Sequence, residues 1–363
     1  MRRRLGLTCL ALVVLLAGCV DPVSSPNEQT RTAAPTAAST AVPSAPGTDL
    51  RAADVATGLE VPWGLVPLAD GSMLVSERDS GAILRVDGSR RETLTTLTDV
   101  RPGGEGGLLG LALTPDRSRL FAYFTAADDN QIVAMSWDGT RLGEPVVVLS
   151  GIPKGTIHNG GRMAIGPDGF LYVGTGETGR RELAQDKNSL GGKILRLSLD
   201  GKPAPGNPFG TAVWSYGHRN VQGLAFDDQG RLWASEFGQN TWDELNLITA
   251  GANYGWPEVE GSGNRPGLTD PVVVWPTDDA SPSGLAWWRG ALWMASLRGA
   301  RLWEIPQSGG KAGTPVEHLT GDFGRLRTVV PTAAGDALLV STNNTDGRGA
   351  PRSGDDRVLR VTR

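Results

Sequence analysis

The chain has 363 residues, 39% of them hydrophobic, and a formal net charge of −4 from 35 Lys and Arg against 39 Asp and Glu. With no basic patch anywhere in the sequence, that balance argues against nucleic acid as a partner. Its 50 glycines, without an amphipathic helix of useful length, point to many turns between short strands. Both cysteines, Cys9 and Cys19, lie near the N-terminus, so the body of the chain can hold neither a disulfide nor a thiolate zinc site.

Arg2-Arg3-Arg4 precede an apolar stretch, Leu5 to Leu16, that is too short to span a bilayer. Leu16-Ala17-Gly18-Cys19 then matches a bacterial lipobox. Residues 1–18 are therefore expected to be a lipoprotein signal peptide, exported by the Sec or the Tat route. Cys19 is expected to carry the lipid that anchors the protein to the cell membrane on its extracytoplasmic side. Residues 19–48 are rich in Ala, Pro, Ser and Thr. Such a segment buries too little apolar surface to offset its ordering entropy and reads as a disordered tether. Residues 49–363 are left for one large domain.

Within that domain a phrase repeats: an apolar strand, a Pro/Asp/Gly turn, then a second apolar strand. Trp63-Gly64-Leu65 passes through Asp70-Gly71 into Met73-Leu74-Val75, and Leu109-Gly110-Leu111-Ala112 through Pro115-Asp116 into Leu120-Phe121-Ala122-Tyr123. Met163-Ala164-Ile165 leads to Leu171-Tyr172-Val173, and Gly223-Leu224-Ala225-Phe226 to Leu232-Trp233-Ala234. Gly284-Leu285-Ala286 leads to Leu292-Trp293-Met294, and Thr328-Val329-Val330 to Leu338-Leu339-Val340. Third strands such as Ile83-Leu84-Arg85-Val86, Ile194-Leu195-Arg196-Leu197 and Val358-Leu359-Arg360-Val361 follow. Six β-meanders spaced by roughly 45–60 residues predict an all-β, six-bladed β-propeller, because a lone blade cannot bury both faces of its sheet.

In such a ring the segments that enter each blade open onto one mouth. Reading around it gives Trp63, Glu105, His158 with Arg162, Arg219 with Asn220, Trp275 with Thr277, and Arg325 with Arg327. A base, several cations and aromatics thus converge. His158, in a blade-entry loop beside Gly160 and Gly161, is the candidate general base, since a near-neutral imidazole can take a hydroxyl proton. His218 reads as orienting the loop that presents Arg219. His318 reads as a surface residue, and Asp243-Glu244 as surface or structural.

The segments His158-Asn159-Gly160-Gly161-Arg162, Gly217-His218-Arg219-Asn220, Ser235-Glu236-Phe237-Gly238, Asn253-Tyr254-Gly255-Trp256-Pro257 and Arg325-Leu326-Arg327 together resemble the soluble quinoprotein glucose dehydrogenase and aldose sugar dehydrogenase family. The resemblance covers about Leu59 to Val361. It implies a site for pyrroloquinoline quinone (PQQ) and calcium, with an aldose sugar as substrate and an external electron acceptor. It implies that His158 is the base and that Arg219 supports the quinone oxygens. Asn220, Thr277, Arg298, Arg325 and Arg327 are implied to hold the cofactor, and the backbone carbonyls of Gly238 and Gln239 the calcium. Trp275, Glu105 and Asn343 are implied to lie at the sugar. Four positions depart from the family pattern: Gln239 stands where Pro is frequent, Arg298 where Lys is common, and Glu105 and Asn343 where the glucose enzymes carry an amide and an Asp. A cofactor-free propeller that binds a glycan or a protein partner is the competing reading. His158, Arg219, Asn220 and the Arg-x-Arg pair favour the enzyme; Arg298 and Asn343 favour the rival.

Overall fold

The computed structural model describes residues 50–363; the expected signal peptide, the expected lipidation site Cys19 and the expected tether fall outside the described residues. Six antiparallel sheets form in chain order, and each is one blade. The innermost strands are Pro62–Pro67, Leu108–Leu113, Met163–Ile165, Val221–Phe226, Pro282–Trp288 and Leu326–Pro331. Every one of them contains or adjoins a repeat phrase read from the sequence. The only helical element among the described residues is a 3-10 turn, Arg181–Ala184.

The sequence phrase showed three strands per blade, and the structure adds a fourth. In blades 1 to 4 it is Arg90–Thr96, Val146–Ile152, Val213–Tyr216 and Val273–Pro276. In blade 5 two short strands, Lys311–Ala312 and Val316–His318, pair with Arg301–Ser308. In blade 6 the outer strand comes from the other end of the domain: Arg51–Ala56 pairs antiparallel with Val358–Thr362, Arg51 opposite Thr362. This last pairing closes the ring with hydrogen bonds between the two ends of the domain.

Six apolar clusters fill the six gaps between neighbouring blades. Leu74 and Ile83 of blade 1, for example, meet Leu108 and Leu120 of blade 2. Toward the ring's centre the backbones themselves approach. An added Cβ at Gly110 would lie 2.1 Å from the carbonyl oxygen of Gly161 in the next blade, so only glycine fits. Five innermost strands carry a β-bulge. A bulge frees backbone groups from the ladder; in blades 1, 2, 5 and 6 a serine takes up one of them, and in blade 4 Arg162 takes the Gln222 carbonyl. Ser76 Oγ accepts the Gly64 N–H at 2.7 Å and donates to the Leu109 carbonyl of the next blade at 2.6 Å. Ser235 likewise donates to the Ser283 carbonyl of blade 5.

In an antiparallel meander the link from strand two to strand three and the link into the next blade leave from the same end. Both kinds of loop therefore rim one mouth, and they carry the candidate site.

Candidate active site

The mouth contains a cavity of about 400 Å³ lined by residues from all six blades or the loops between them. Of the residues read from the sequence, Glu105, His158, Arg219, Asn220, Gly238, Gln239, Thr277, Arg298, Arg325 and Arg327 line it, together with Trp63. Three others do not. Trp275 is buried in the cluster between blades 4 and 5, its ring 5.8 Å from Trp303. Its strand is the outermost of blade 4, which turns the indole away from the channel. Asn343 is fully buried beneath the wall, where its Oδ1 accepts both Nε and Nη2 of Arg327 at 3.0 and 2.7 Å. Arg162 is buried against the Trp63 indole at 4.3 Å, donating to the Gln222 carbonyl and the Thr328 hydroxyl.

His158 sits in a left-handed backbone conformation, φ 54°. That is unfavourable for a side chain of its size and is held by its surroundings. Its N–H donates to Glu105 Oε2 at 2.8 Å, and its carbonyl accepts the Thr178 N–H. Its Nδ1 pairs with Glu177 Oε1. Glu177 is buried and its pairing fixes the ring; with the carboxylate as acceptor, Nδ1 carries the proton and Nε2 is the basic nitrogen. Glu105 Oε1 accepts Arg348 Nη1 at 2.9 Å. Burial alone would raise the Glu105 pKa, but the His158 N–H and the Arg348 charge outweigh it and hold it below the ordinary value.

The opposite chemistry dominates the rest of the wall. Arg219, Arg298, Arg325, Arg327 and Arg348 face a cavity that holds only two carboxylates, Glu105 and Asp243. Burial pushes Arg327 down to about 9, with Asp346 opposing the shift. Arg327 is held by Asn343 and by Gln222 Oε1 at 2.7 Å, and Arg325 by Asp346 at 3.0 Å. Arg298 is largely exposed and pairs with Asp278 at 2.7 Å. The Nε atoms of Arg219 and Arg325 are buried without a hydrogen-bond partner among the described residues. Cationic groups so desolvated and partly unsatisfied suit an anionic ligand with several acceptor oxygens.

Arg219 is aimed by buried neighbours. Glu236 takes its backbone N–H through Oε1 and His218 Nδ1 through Oε2, at 2.7 Å for the latter. His218 also bonds Ser215 at 2.8 Å and stacks on Tyr254. Asn220 Oδ1 accepts the Gly160 N–H at 3.0 Å, while its NH₂ group donates to no protein acceptor among the described residues.

Gly238 and Gln239 lie on the loop between Leu232–Glu236 and Trp242–Ile248. Their carbonyls accept no hydrogen bond among the described residues. Asp243, beside them, accepts the N–H groups of Gly238 and Ser281 at 2.8 and 2.6 Å, and burial pushes its pKa up to about 7. Among the described residues no group of three or more His, Cys, Asp or Glu could hold a metal ion. Free carbonyl oxygens are nonetheless the donor type that a hard cation such as calcium takes.

The glucose/sorbosone dehydrogenase family model matches residues 59–351, most of the chain. The chain belongs to this family. The structure of the PQQ-bound aldose sugar dehydrogenase from Streptomyces coelicolor is similar at 57% identity and TM-score 0.84, covering 88% of this chain and 99% of that one. Quinoprotein glucose dehydrogenase B of Acinetobacter calcoaceticus is 34% identical over 57% of this chain and 52% of its own length. The aldose sugar dehydrogenase of Escherichia coli is 29% identical over 80% of this chain and 89% of its own.

For this member of the glucose/sorbosone dehydrogenase family, sequence reasoning missed several residues of the site. Glu177 follows a strand within Gly-Glu-Thr-Gly and reads as a turn; only folding brings it to His158. Gln222 and Arg348 line the cavity from positions with no distinguishing pattern. Asp243 and Glu244 are buried and not on the surface. His318 is mostly buried too, bonded to Glu304 at 2.9 Å and stacked on Trp293.

Proposed function

We propose that the chain is a PQQ- and calcium-dependent aldose dehydrogenase that oxidises the anomeric hydroxyl of a sugar to a lactone. The observation that carries this reading is one cavity in which a His158–Glu177 pair faces a wall of arginines and two unclaimed carbonyls. PQQ, named for the Streptomyces coelicolor structure, is a flat tricarboxylate and fits that wall. Arg325, Arg327 and Arg298 would hold its carboxylates, with Asn220 and Thr277 hydrogen-bonding it and Arg219 at the quinone oxygens. The carbonyls of Gly238 and Gln239 would hold calcium. When bound, the quinone supplies the two-electron acceptor for the hydride leaving C1.

The chain's own part is to position the sugar and move a proton. His158 Nε2 takes the proton of the anomeric hydroxyl. Glu177 holds Nδ1–H and stabilises the imidazolium that forms. Glu105 fixes the His158 backbone, and Trp63 gives the cavity an aromatic wall. Repeated turnover requires an external electron acceptor as a second partner.

Export and anchoring belong to the same reading, supported by the lipobox at Cys19. Two acyl chains on one cysteine suffice for stable membrane binding. Cys19→Ala is expected to move the protein from the membrane fraction to the medium; a variant that stays in the membrane fraction overturns the anchor.

The reading is tested by adding PQQ and calcium to metal-free apoprotein. A bound-quinone absorbance band and aldose-dependent dye reduction are expected, both lost on chelation and restored by calcium. Dye reduction that persists after complete chelation excludes calcium, and no quinone binding excludes the reading as a whole.

A further inference from the structure

The loop that carries the two free carbonyls is held from behind. Glu260 Oε1 accepts the backbone N–H groups of Gln239, Asn240, Thr241 and Trp242 at 2.6, 2.9, 2.9 and 3.1 Å. The N–H just before them, on Gly238, goes to Asp243 Oδ1 at 2.8 Å. Five consecutive N–H groups are thus claimed by two carboxylates. A carboxylate seated in successive N–H groups is the arrangement that elsewhere binds free anions, and here the chain supplies the anion itself.

The peptide plane turns this clamp into an aiming device. In a trans peptide the N–H of one residue points opposite to the carbonyl of the residue before it. The bonds in this loop are trans, since the cis bonds lie elsewhere, at Trp256-Pro257 and Asp355-Asp356. Glu260 on the Gln239 N–H therefore turns the Gly238 carbonyl away from Glu260. Glu260 on the Asn240 N–H does the same to the Gln239 carbonyl. Asp243 on the Gly238 N–H turns out the Phe237 carbonyl, which receives Arg219 Nη1 at 3.3 Å. Gly238 and Gln239 both line the cavity. Gly238 has no room for a side chain: an added Cβ would lie 1.8 Å from the Trp242 carbonyl oxygen.

We propose that Glu260, which does not line the cavity, is the positioning residue of the cation site: it aims the Gly238 and Gln239 carbonyls together and adds negative charge behind them. The inference rests on the calcium reading above and deepens it. Outer residues that orient metal ligands change affinity by about 10–100-fold when removed. Glu260→Ala should raise the calcium concentration needed for half-maximal PQQ retention by that factor. Glu260→Gln, which keeps one acceptor oxygen but loses the charge, should fall between Ala and wild type.

The experiment is a calcium titration of apoprotein with PQQ present, read by bound-quinone absorbance and in parallel by the calcium-induced rise in melting temperature. No sugar is added. Circular dichroism establishes that each variant is folded, and Glu260→Gln decides the matter if Glu260→Ala is not. A wild type that responds to calcium and variants with the ordered loss of affinity support the proposal. A responsive wild type with both variants at its affinity, or Glu260→Gln alone at its affinity where Glu260→Ala does not fold, overturns Glu260's role and leaves the calcium reading standing. A wild type that binds PQQ equally well without calcium overturns both.

Discussion

At the scale of single residues, His158 is defined less by its ring than by what grips it. Glu177 holds Nδ1 and Glu105 holds the backbone N–H of a residue in a left-handed conformation. Glu105 then binds Arg348 across the mouth, from a loop 243 positions further along the chain. This link has a pH signature. Glu105 titrates below its ordinary value of 4.5 in the folded protein, so the fold favours its ionised form. Its contribution to stability is present above that ordinary value and is lost as pH falls through the lower, folded one. Glu105→Gln cannot titrate. The gap in melting temperature between wild type and variant should therefore be widest near neutrality and shrink in acid; a gap that grows in acid contradicts the linkage. Residue types in their loops made Glu105, His158, Arg219 and the Arg325–Arg327 pair legible in the sequence. Trp275 and Asn343 show the limit: their loops were right, but the direction a side chain takes from a strand end depends on packing. Trp275 goes into the core, and Asn343 serves Arg327 from below.

At the scale of strands and blades, the bulged innermost strands explain why the ring can close so tightly. Glycine admits the neighbouring backbone, and second-strand serines such as Ser76, Ser235 and Ser341 pair with groups that the bulges release. Ser76→Ala removes one acceptor and one donor from a buried seam between blades 1 and 2. Leaving the Gly64 N–H and the Leu109 carbonyl unpaired should cost about 1–3 kcal/mol for each group left unsatisfied. Urea unfolding should show this as a lower midpoint with an unchanged slope. An unchanged midpoint would mean that water or backbone movement replaces the hydroxyl. Innermost and second strands were readable because both faces are buried and the turns between them carry Asp and Gly. Fourth strands were not. Arg90–Thr96 is mostly polar and lies at a sheet edge, and Arg51–Ala56 joins a blade whose other strands begin at Leu326. No local pattern announces a pairing over that separation.

At the scale of the whole molecule, six similar blades place six dissimilar entry loops around one mouth. The repeat supplies rigidity, and the departures from it supply chemistry. Five arginines converge there in a chain whose formal net charge is −4, so the positive field is local to the site. The central claim is that this field holds the cofactor while His158 moves the proton, two tasks that one substitution should separate. The measurement is single-turnover reduction of bound PQQ by a saturating aldose, followed by absorbance in wild type and His158→Gln. The account predicts equal amounts of bound quinone in both proteins and reduction slower by roughly two to four orders of magnitude in the variant. Reduction at the wild-type rate by His158→Gln would contradict it.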